Sequence, residues 1–393
     1  MRDHRQLLRP KTLAMIGIPV ATASLCFWVA RSASEGPPPV APRTRADGTA
    51  AASAAAGKSP RGDSALPLRA VPFASGDGDG PRSFRTAADA FFREHQRIPP
   101  PPVAHARLAD LSPSGDPGTG ISEGNSEGNS DSHRKILVVG DVHGCYDELL
   151  ELHASALAEN GSEAFSHVLL VGDLCNKGPD SAGVIRHVRT TPGWYSVRGN
   201  HDDGALAAAL GDERRRRSET YRWVFRADGG GETEALSSGL SDDDVEWLSE
   251  LPYTIRIPGD RLGDAEDTLV VHAGLVPGTD LGAQTPGTMT TVRDLLVRCN
   301  GDGSPTHYES DAGGTGGKPP PAGAPCNTAV AWASAWRGPE KVVFGHDARR
   351  KLQQHGSATG LDTGAVYGGA LTGIILPGGT LVSVPSKEYS PIR

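Results

Sequence analysis

Five short apolar runs occur between residues 136 and 344, and each ends abruptly in polar residues and glycine. They lie at residues 136–139, 168–171, 194–197, 269–271 and 341–344. Runs of three or four β-branched and aliphatic residues are typical of strands buried on both faces. Leucines at 149, 150, 152 and 157 predict a helix between the first two runs. Strands that alternate with helices predict an α/β fold whose ligands gather at the carboxyl ends of the strands.

The polar residues that follow these runs are of types that bind divalent metals. Asp141 and His143 follow the first run, and alone such a pair is more often a turn with a surface histidine. Similar residues follow the other four runs, which favours a metal site. We predict two ions, the first bound by Asp141, His143 and Asp173, and the second bound by Asp173, Asn200, His272 and His346.

A carboxylate shared by two cations suits chemistry at phosphorus. It holds the ions about 3.5–4 Å apart, where they activate a water and stabilise an in-line displacement. The predicted ligands are oxygen and nitrogen atoms without thiolate, so Mn, Zn, Fe, Co and Mg are all compatible. Mn or Zn is the favoured identity of the two cofactor ions.

Composition divides the 393 residues unevenly, because Gly 50 and Pro 31 indicate that much of the chain need not pack. Residues 32–132 are predicted to be a disordered linker, rich in small and polar residues and carrying a tandem repeat at 122–129. Within it, a helical pattern at 83–97 either docks on the folded domain or remains free. The folded domain is predicted at 133–393.

Residues 1–31 are predicted to be a signal anchor. Basic residues precede an uncharged run at 12–30, which is long enough to cross a bilayer as a helix. The basic side should stay cytosolic, which places the domain on the luminal or vacuolar side of the secretory system. A cleaved signal peptide and an organelle presequence are the alternatives.

The blocks at the strand ends resemble a known family. They are Gly140-Asp141-x-His143-Gly144, Gly172-Asp173, Gly199-Asn200-His201, His272-Ala273-Gly274 and Gly345-His346. This order is similar to the phosphoprotein phosphatase superfamily of calcineurin-like metallophosphoesterases. Residues 172–181, 345–348, 360–364 and 367–369 further resemble ApaH-like phosphatases, relatives of diadenosine tetraphosphatases. The resemblance implies a β-sandwich flanked by helices.

The resemblance also implies roles for residues beside the metal ligands. His201 would be the general acid, and Arg198 would hold phosphate oxygens in a fork. Asn176-Lys177 stands where protein phosphatases carry Asp-Arg, and that Asp normally partners the histidine. His201 is therefore either less basic here or partnered elsewhere, with Asp202 as the candidate.

Arginines further along the chain are candidates for substrate contact. Arg293 is predicted to reach the substrate, with Arg337 behind it, and each could instead be a solvated arginine. The arginines at 214–217 could guide a polyanion, although a solvated helix paired with acidic neighbours is the favoured interpretation. Because the net charge is -8, any attraction of polyanions must be local.

The sequence thus predicts a two-metal phosphatase that cleaves P–O bonds in inorganic polyphosphate, as an endopolyphosphatase does, or in dinucleoside polyphosphates. A serine/threonine protein phosphatase and a catalytically silent polyanion-binding protein are the alternatives. The predicted partners are that substrate and the membrane, through the N-terminal helix, with neither sequence-specific nucleic-acid recognition nor an obligate protein partner. A disulfide between Cys299 and Cys326 is a further hypothesis for a luminal domain.

Overall fold

The computed structural model describes residues 84–111, 135–225, 239–316 and 319–391. The helices of this part are α1 (Phe84–His95), α2 (Tyr146–Glu159), α3 (Ser181–Thr190), α4 (Asn200–Leu210), α5 (Glu213–Arg216), α6 (Asp242–Glu250), α7 (Pro286–Thr291) and α8 (Trp332–Ala335). The strands are β1 (His105–Arg107), β2 (Ile136–Val139), β3 (His167–Leu170), β4 (Trp194–Ser196), β5 (Thr254–Ile257), β6 (Thr268–Val271), β7 (Asp294–Cys299), β8 (Pro305–Ser310), β9 (Ala329–Ala331), β10 (Lys341–Phe344), β11 (Gln353–Gln354), β12 (Ala358–Gly360), β13 (Ala370–Leu376) and β14 (Thr380–Pro385).

Two large sheets share an apolar layer. One has the strand order β1-β5-β6-β10-β12-β11 and the other β14-β13-β2-β3-β4. Ile136 and Val138 of β2 pack with Val270 of β6 between the sheets. Their neighbours Leu137 and Val139 point the other way, into a cluster with α2 and α3. Because successive strand residues face opposite sides, an apolar run is needed to fill both layers. The predicted α/β sandwich flanked by helices is confirmed.

Parallel pairing brings the predicted strand ends to a common side of each sheet. β2 pairs in parallel with β3 and β3 with β4, while β10 pairs in parallel with both β6 and β12. The observed strands agree with the predicted runs to within one residue at either end. The residues that follow β2, β3, β4, β6 and β10 build the site described below.

A third, three-stranded sheet has the order β8-β7-β9. Its far end is closed by a disulfide between Cys299 and Cys326, 27 positions apart, which confirms the hypothesis of this pairing. The sequence indicated only a glycine- and proline-rich insertion at 300–325, so β8 was not predicted. Arg293 immediately precedes β7 and is carried to the rim of the site.

The predicted boundary at 133 is corrected by residues 84–111, which fold onto the domain. Ala88 and Phe92 of α1 are buried against Leu206 and Leu210 of α4. β1 then extends the six-stranded sheet by pairing in parallel with β5. Apolar residues four apart on α1 supply burial that the overall composition of the linker conceals. The helical pattern at 83–97 therefore docks on the domain.

The predicted signal anchor at 1–31 and the linker segments at 32–83 and 112–132 lie outside the described residues. Among the helices of the described ranges, none combines the length and apolar character that a membrane span requires.

Candidate active site

The backbone is strained where the strands end. His143, Asp173 and His346 are non-glycine residues with φ of 49°, 50° and 68°. Asn176 and Lys177, in the loop after β3, have φ of 78° and 75°. Left-handed backbone costs an L-residue roughly 1–2 kcal/mol. Strain of this kind concentrates at functional sites because the surrounding fold enforces it.

Three predicted ligand histidines are oriented by hydrogen bonds to backbone carbonyls. Nδ1 of His143 donates to a carbonyl at 3.1 Å, Nδ1 of His272 to one at 2.9 Å, and Nε2 of His346 to one at 3.1 Å. In a neutral imidazole the other ring nitrogen is then unprotonated and carries a lone pair. Such second contacts fix the tautomer and the ring orientation of metal-binding histidines.

Asp173 lies between these imidazoles. Its Oδ2 is 3.5 Å from Nε2 of His143, and its Oδ1 is 3.3 Å from Nε2 of His272. Asn200 places its Oδ1 3.1 Å from the same His272 nitrogen. Asp173 thus belongs to two groups whose ligand atoms all lie within 4.8 Å, one completed by His143 and His201, the other by His272 and His346. Asp173 is therefore the carboxylate common to both candidate ligand groups.

Asp141 lies beneath this layer and contacts it through the backbone. Both of its carboxylate oxygens accept hydrogen bonds from the amide of His346, at 3.1 and 3.0 Å. Gly345 makes this approach possible, because a Cβ there would collide with Oδ1 of Asp141. Asp141 is absent from the two close groups, so its role as ligand of the first ion stays a prediction.

The electrostatics of the described residues fit bound cations. Burial raises the pKa of Asp173 to about 7 and raises the pKa of Asp141 well above its usual value, with neighbouring carboxylates adding to the latter. Burial lowers the pKa of His272 to about 4, and the pKa values of His143 and His346 fall well below the usual range. Neutral imidazoles beside crowded carboxylates are the donors that a divalent cation stabilises.

The position of Lys177 also indicates that the site can hold a cation. Its ammonium lies 3.3 Å from Nε2 of His143, so this lone pair already faces a positive charge. The nearby donors are oxygen and nitrogen, and the buried Cys175 thiol bonds to Asp202 and the His201 carbonyl instead. Oxygen and nitrogen donors without a thiolate are suited to hold divalent cations.

The hydrogen-bond partner of the His201 ring is the side chain of Asn176. The Asn176 amide nitrogen is 2.7 Å from Nδ1 of His201, and its oxygen accepts from the Lys177 backbone at 3.2 Å, which fixes the amide orientation. The amide therefore donates to Nδ1, and the proton of the neutral ring lies on Nε2. Burial, together with the charges of Lys177, His272, Arg215 and Arg293, lowers the pKa of His201 to about 2. Of the two alternatives, the structure favours the less basic histidine.

Asp202 is not the partner of His201. Its carboxylate accepts from the backbone amides of Asp173, Leu174 and Gly199 at 2.9, 3.0 and 2.8 Å. This carboxylate ties the start of α4 to the loop after β3. The prediction that Asp202 orients the histidine is wrong, because its two carboxylate oxygens already accept from three backbone amides and the Cys175 thiol.

A cavity of about 190 Å³ opens over these residues. Its wall includes most of the predicted site, namely His143, Asp173, Asn200, His201, Arg293 and His346. Arg293 is held by a hydrogen bond from Nη2 to the carbonyl of His346 at 3.0 Å, while 41% of its side chain is exposed. Its guanidinium is therefore partly exposed at the cavity, and its contact with the substrate stays a prediction. Arg337 bonds to the carbonyls of Ser334 and Trp336 and does not line the cavity.

Five residues of the cavity wall were not predicted as site residues: Lys177, Ala348, Arg349, Asp362 and Tyr367. The ammonium of Lys177 donates to the Tyr367 hydroxyl at 2.7 Å and lies 5.1 Å from the ring centre. Burial raises the pKa of Asp362 to about 7. Asp362 and Tyr367 fall inside the blocks at 360–364 and 367–369, so those blocks were the available signal.

Arg198 does not reach this cavity, and its predicted role as a phosphate clamp is wrong. Its side chain is fully buried, and Nη1 lies 3.3 Å from the carbonyl of Pro99 and 3.5 Å from Asp203. Nη2 donates to the carbonyl of Ser249, and the guanidinium lies 5.5 Å from the centre of the Tyr253 ring. None of these partners lines the cavity. Arg198 instead links the segment between α1 and β1, through Pro99, to α6, through Ser249.

A family model described as calcineurin-like phosphoesterase matches residues 134–357, more than half of the chain. The protein therefore belongs to the calcineurin-like phosphoesterase family. It is accordingly a metallophosphoesterase, a hydrolase of phosphoric esters or anhydrides, whose family uses divalent metals.

Curated relatives confirm the resemblance to ApaH-like phosphatases. The asymmetrical bis(5'-nucleosyl)-tetraphosphatase PrpE of Halalkalibacterium halodurans is 28% identical over 269 residues, which cover 64% of this chain and 94% of the relative. The symmetrical bis(5'-nucleosyl)-tetraphosphatase of Methylobacillus flagellatus is 28% identical over 296 residues, covering 65% and 96%. The PrpE protein of Bacillus subtilis is 29% identical over 263 residues, covering 64% and 94%.

Proposed function

We propose that this protein hydrolyses phosphoanhydride bonds in dinucleoside polyphosphates, with two divalent cations held around Asp173. The observation that carries the proposal is the cavity wall, in which Asp173 lies between His143 and His272 while Lys177 and Arg293 add positive charge. The names of the curated relatives support this substrate class.

The residues of the cavity would bind either the cations or the phosphate. Asp173, His143, Asn200, His272 and His346 would hold the cations, with Asp141 as the further predicted ligand. When bound, divalent cations neutralise charge on phosphoryl oxygens and lower the pKa of an attacking water. Arg293 would fix the phosphate by its fork of N–H groups. A water oxygen bonds to phosphorus and releases a proton to solvent, while the bridging P–O bond breaks and its electron pair leaves with the bridging oxygen.

His201 would serve the leaving oxygen. Its Nε2–H is set by the Asn176 amide at Nδ1, and the ring lines the cavity. A neutral imidazole can donate a hydrogen bond from this group to an oxygen on which charge develops, and removal of one such donor typically costs about 10²–10³-fold in kcat. An amide partner favours the neutral ring where a carboxylate would favour imidazolium. This arrangement suits a leaving phosphate, which needs less protonation than an alkoxide.

The substrate class is tested with the full-length protein and Mn, Zn, Co or Mg in turn. Diadenosine tetraphosphate, inorganic polyphosphate and a phosphoserine peptide are compared by kcat/KM, and the products are separated by chromatography. We expect cleavage of diadenosine tetraphosphate, with the phosphopeptide at least about tenfold slower because no carboxylate partners His201. Preference for polyphosphate would replace the proposed substrate. A faster phosphopeptide reaction, or no hydrolysis with any metal, would refute the proposal.

We also propose that the domain works in an oxidising compartment. The disulfide between Cys299 and Cys326 supports this, because such bonds persist mainly in secreted and luminal proteins. Cys145 and Cys175 are buried free thiols and serve as an internal reference. We expect peptide mapping of the protein, isolated from its own cells with thiols blocked at lysis, to recover Cys299 and Cys326 as one linked peptide. Recovery of both as alkylated thiols would contradict the proposal.

A further inference from the structure

The arginines of α5 differ in what they contact. Arg217 pairs with Glu213 at 3.2 Å on the exposed side, and Arg216 lies over the Phe225 ring. Arg215 instead donates from Nη1 to the Tyr221 hydroxyl at 3.1 Å, and its guanidinium lies 5.4 Å from the centre of that ring. Its nearest carboxylate, on Asp212, is 3.9 Å away, and 40% of the side chain is exposed. Arg215 is thus held in place while its charge stays available.

A glycine inside α4 makes room for this arrangement. Gly204 is fully enclosed, and a Cβ there would collide with the Tyr221 hydroxyl and come within 2.7 Å of Nη1 of Arg215. Glycine in a helix interior costs about 1 kcal/mol relative to alanine. The helix accepts that cost at the one point where Tyr221 and Arg215 approach its backbone. A local rule broken with a specific spatial consequence is a reason to look for function.

The position of Gly204 relates Arg215 to the reacting centre. Gly204 follows His201 by three residues, so both lie on the same face of α4. The rise of an α-helix separates them by about 4.5 Å along the axis. The Arg215 guanidinium therefore meets α4 one helical turn beyond His201. Lys177 and Arg293 line the cavity itself.

We propose that Arg215 binds the phosphate of the leaving group and thereby selects anhydrides over simple monoesters. This inference rests on the proposed function and deepens it. In an anhydride, the atom that leaves belongs to a second, negatively charged phosphate, which must lie beyond His201. In a monoester of an aryl or alkyl alcohol that position carries no phosphate. A guanidinium binds phosphate by two parallel N–H···O bonds, which a Lys cannot reproduce.

The test compares two variants of the full-length protein with the same loss of charge. Arg215→Gln removes the proposed contact, and Arg217→Gln removes a neighbouring exposed arginine of α5 as the matched control. For each, kcat/KM is measured on diadenosine tetraphosphate and on p-nitrophenyl phosphate with the same metal. We expect Arg215→Gln to lower the anhydride-to-monoester ratio about tenfold or more, and Arg217→Gln to leave it within about twofold. Arg215→Lys should recover only part of the ratio.

The ratio also distinguishes a direct phosphate contact from a purely structural role of Arg215. Partial unfolding of Arg215→Gln lowers both activities together and leaves the ratio unchanged, so a general structural role would not move it. If the parent cleaves diadenosine tetraphosphate and Arg215→Gln has the same anhydride-to-monoester ratio as the parent, the inference is overturned and the proposed function stands. A parent that cleaves p-nitrophenyl phosphate but no anhydride would overturn both.

Discussion

Replacing Asp173 with asparagine is expected to lower kcat/KM by about 10³-fold or more and to abolish the binding of both cations. Its two carboxylate oxygens lie 3.5 Å from His143 and 3.3 Å from His272, so one substitution removes charge from both groups of ligands. Shared carboxylates set the spacing on which two-metal displacement depends. Activity is measured on diadenosine tetraphosphate, and bound metal by elemental analysis after gel filtration.

In the metal-free protein, Asp173→Asn should make the thermal stability less dependent on pH. Burial raises the pKa of Asp173 to about 7, whereas an unfolded aspartate titrates near 3.8. Between these values the folded state holds a proton that the unfolded state has released, so this group lowers stability as the pH rises. Asparagine does not titrate. With chelator present, the parent should therefore lose more thermal stability between pH 5 and pH 8 than Asp173→Asn does.

Asp302→Asn is the control for both measurements, because Asp302 is an exposed turn residue with the same side chain. It should leave the activity, the metal content and the pH dependence as in the parent. If Asp173→Asn kept two ions and most of its activity, Asp173 would not be the shared ligand.

His201→Ala should lower kcat by about 10²–10³-fold on a substrate whose leaving oxygen accepts a hydrogen bond from Nε2–H, while the metal content stays unchanged. The loss should be smaller on p-nitrophenyl phosphate, because nitrophenolate leaves without protonation. The reason is positional, since His201 lines the cavity and its Nδ1 is engaged by Asn176. Kinetics across alkyl and aryl phosphates, with metal analysis of each preparation, checks both parts.

An alternative role for His201 gives a different result. Its ring also lies within the group formed by His143 and Asp173. If it were a metal ligand, His201→Ala would lose one ion and would slow all substrates equally. Asn176→Ala, which removes only the partner of Nδ1, should then change little. If His201 instead donates a hydrogen bond to the leaving oxygen, Asn176→Ala causes a smaller loss than His201→Ala, with the same dependence on the leaving group.

The strand-end residues could be predicted because their signal is local. An apolar run that fills both layers of a sandwich must be followed by a turn, and parallel pairing carries such turns to the same edge. His143, Asp173 and His346 each follow a run within four residues, so the pattern along the chain translates into proximity. The docking of α1 was harder to predict, because two apolar side chains in a polar segment are a weak signal until α4 is in place.

Contacts between distant segments explain the failures. Arg198 stands beside the site in the chain, but its partners are the carbonyls of Pro99 and Ser249, which are 99 and 51 residues away. Backbone carbonyls carry no sequence signature, so nothing in the pattern distinguished a buried arginine from a phosphate clamp. Lys177 and Tyr367 meet across 190 residues in the same way. A sequence motif indicates which residues are present, whereas long-range packing decides which of them face the cavity.

The central claim is that one carboxylate, that of Asp173, is shared by two cations. Anomalous diffraction from crystals of the protein grown with Mn²⁺, recorded near the manganese edge, tests it most directly. The account predicts two peaks about 3.5–4 Å apart on either side of the Asp173 carboxylate, one beside His143 and the other beside His272 and His346. A single peak, or two peaks that do not share Asp173, would contradict it.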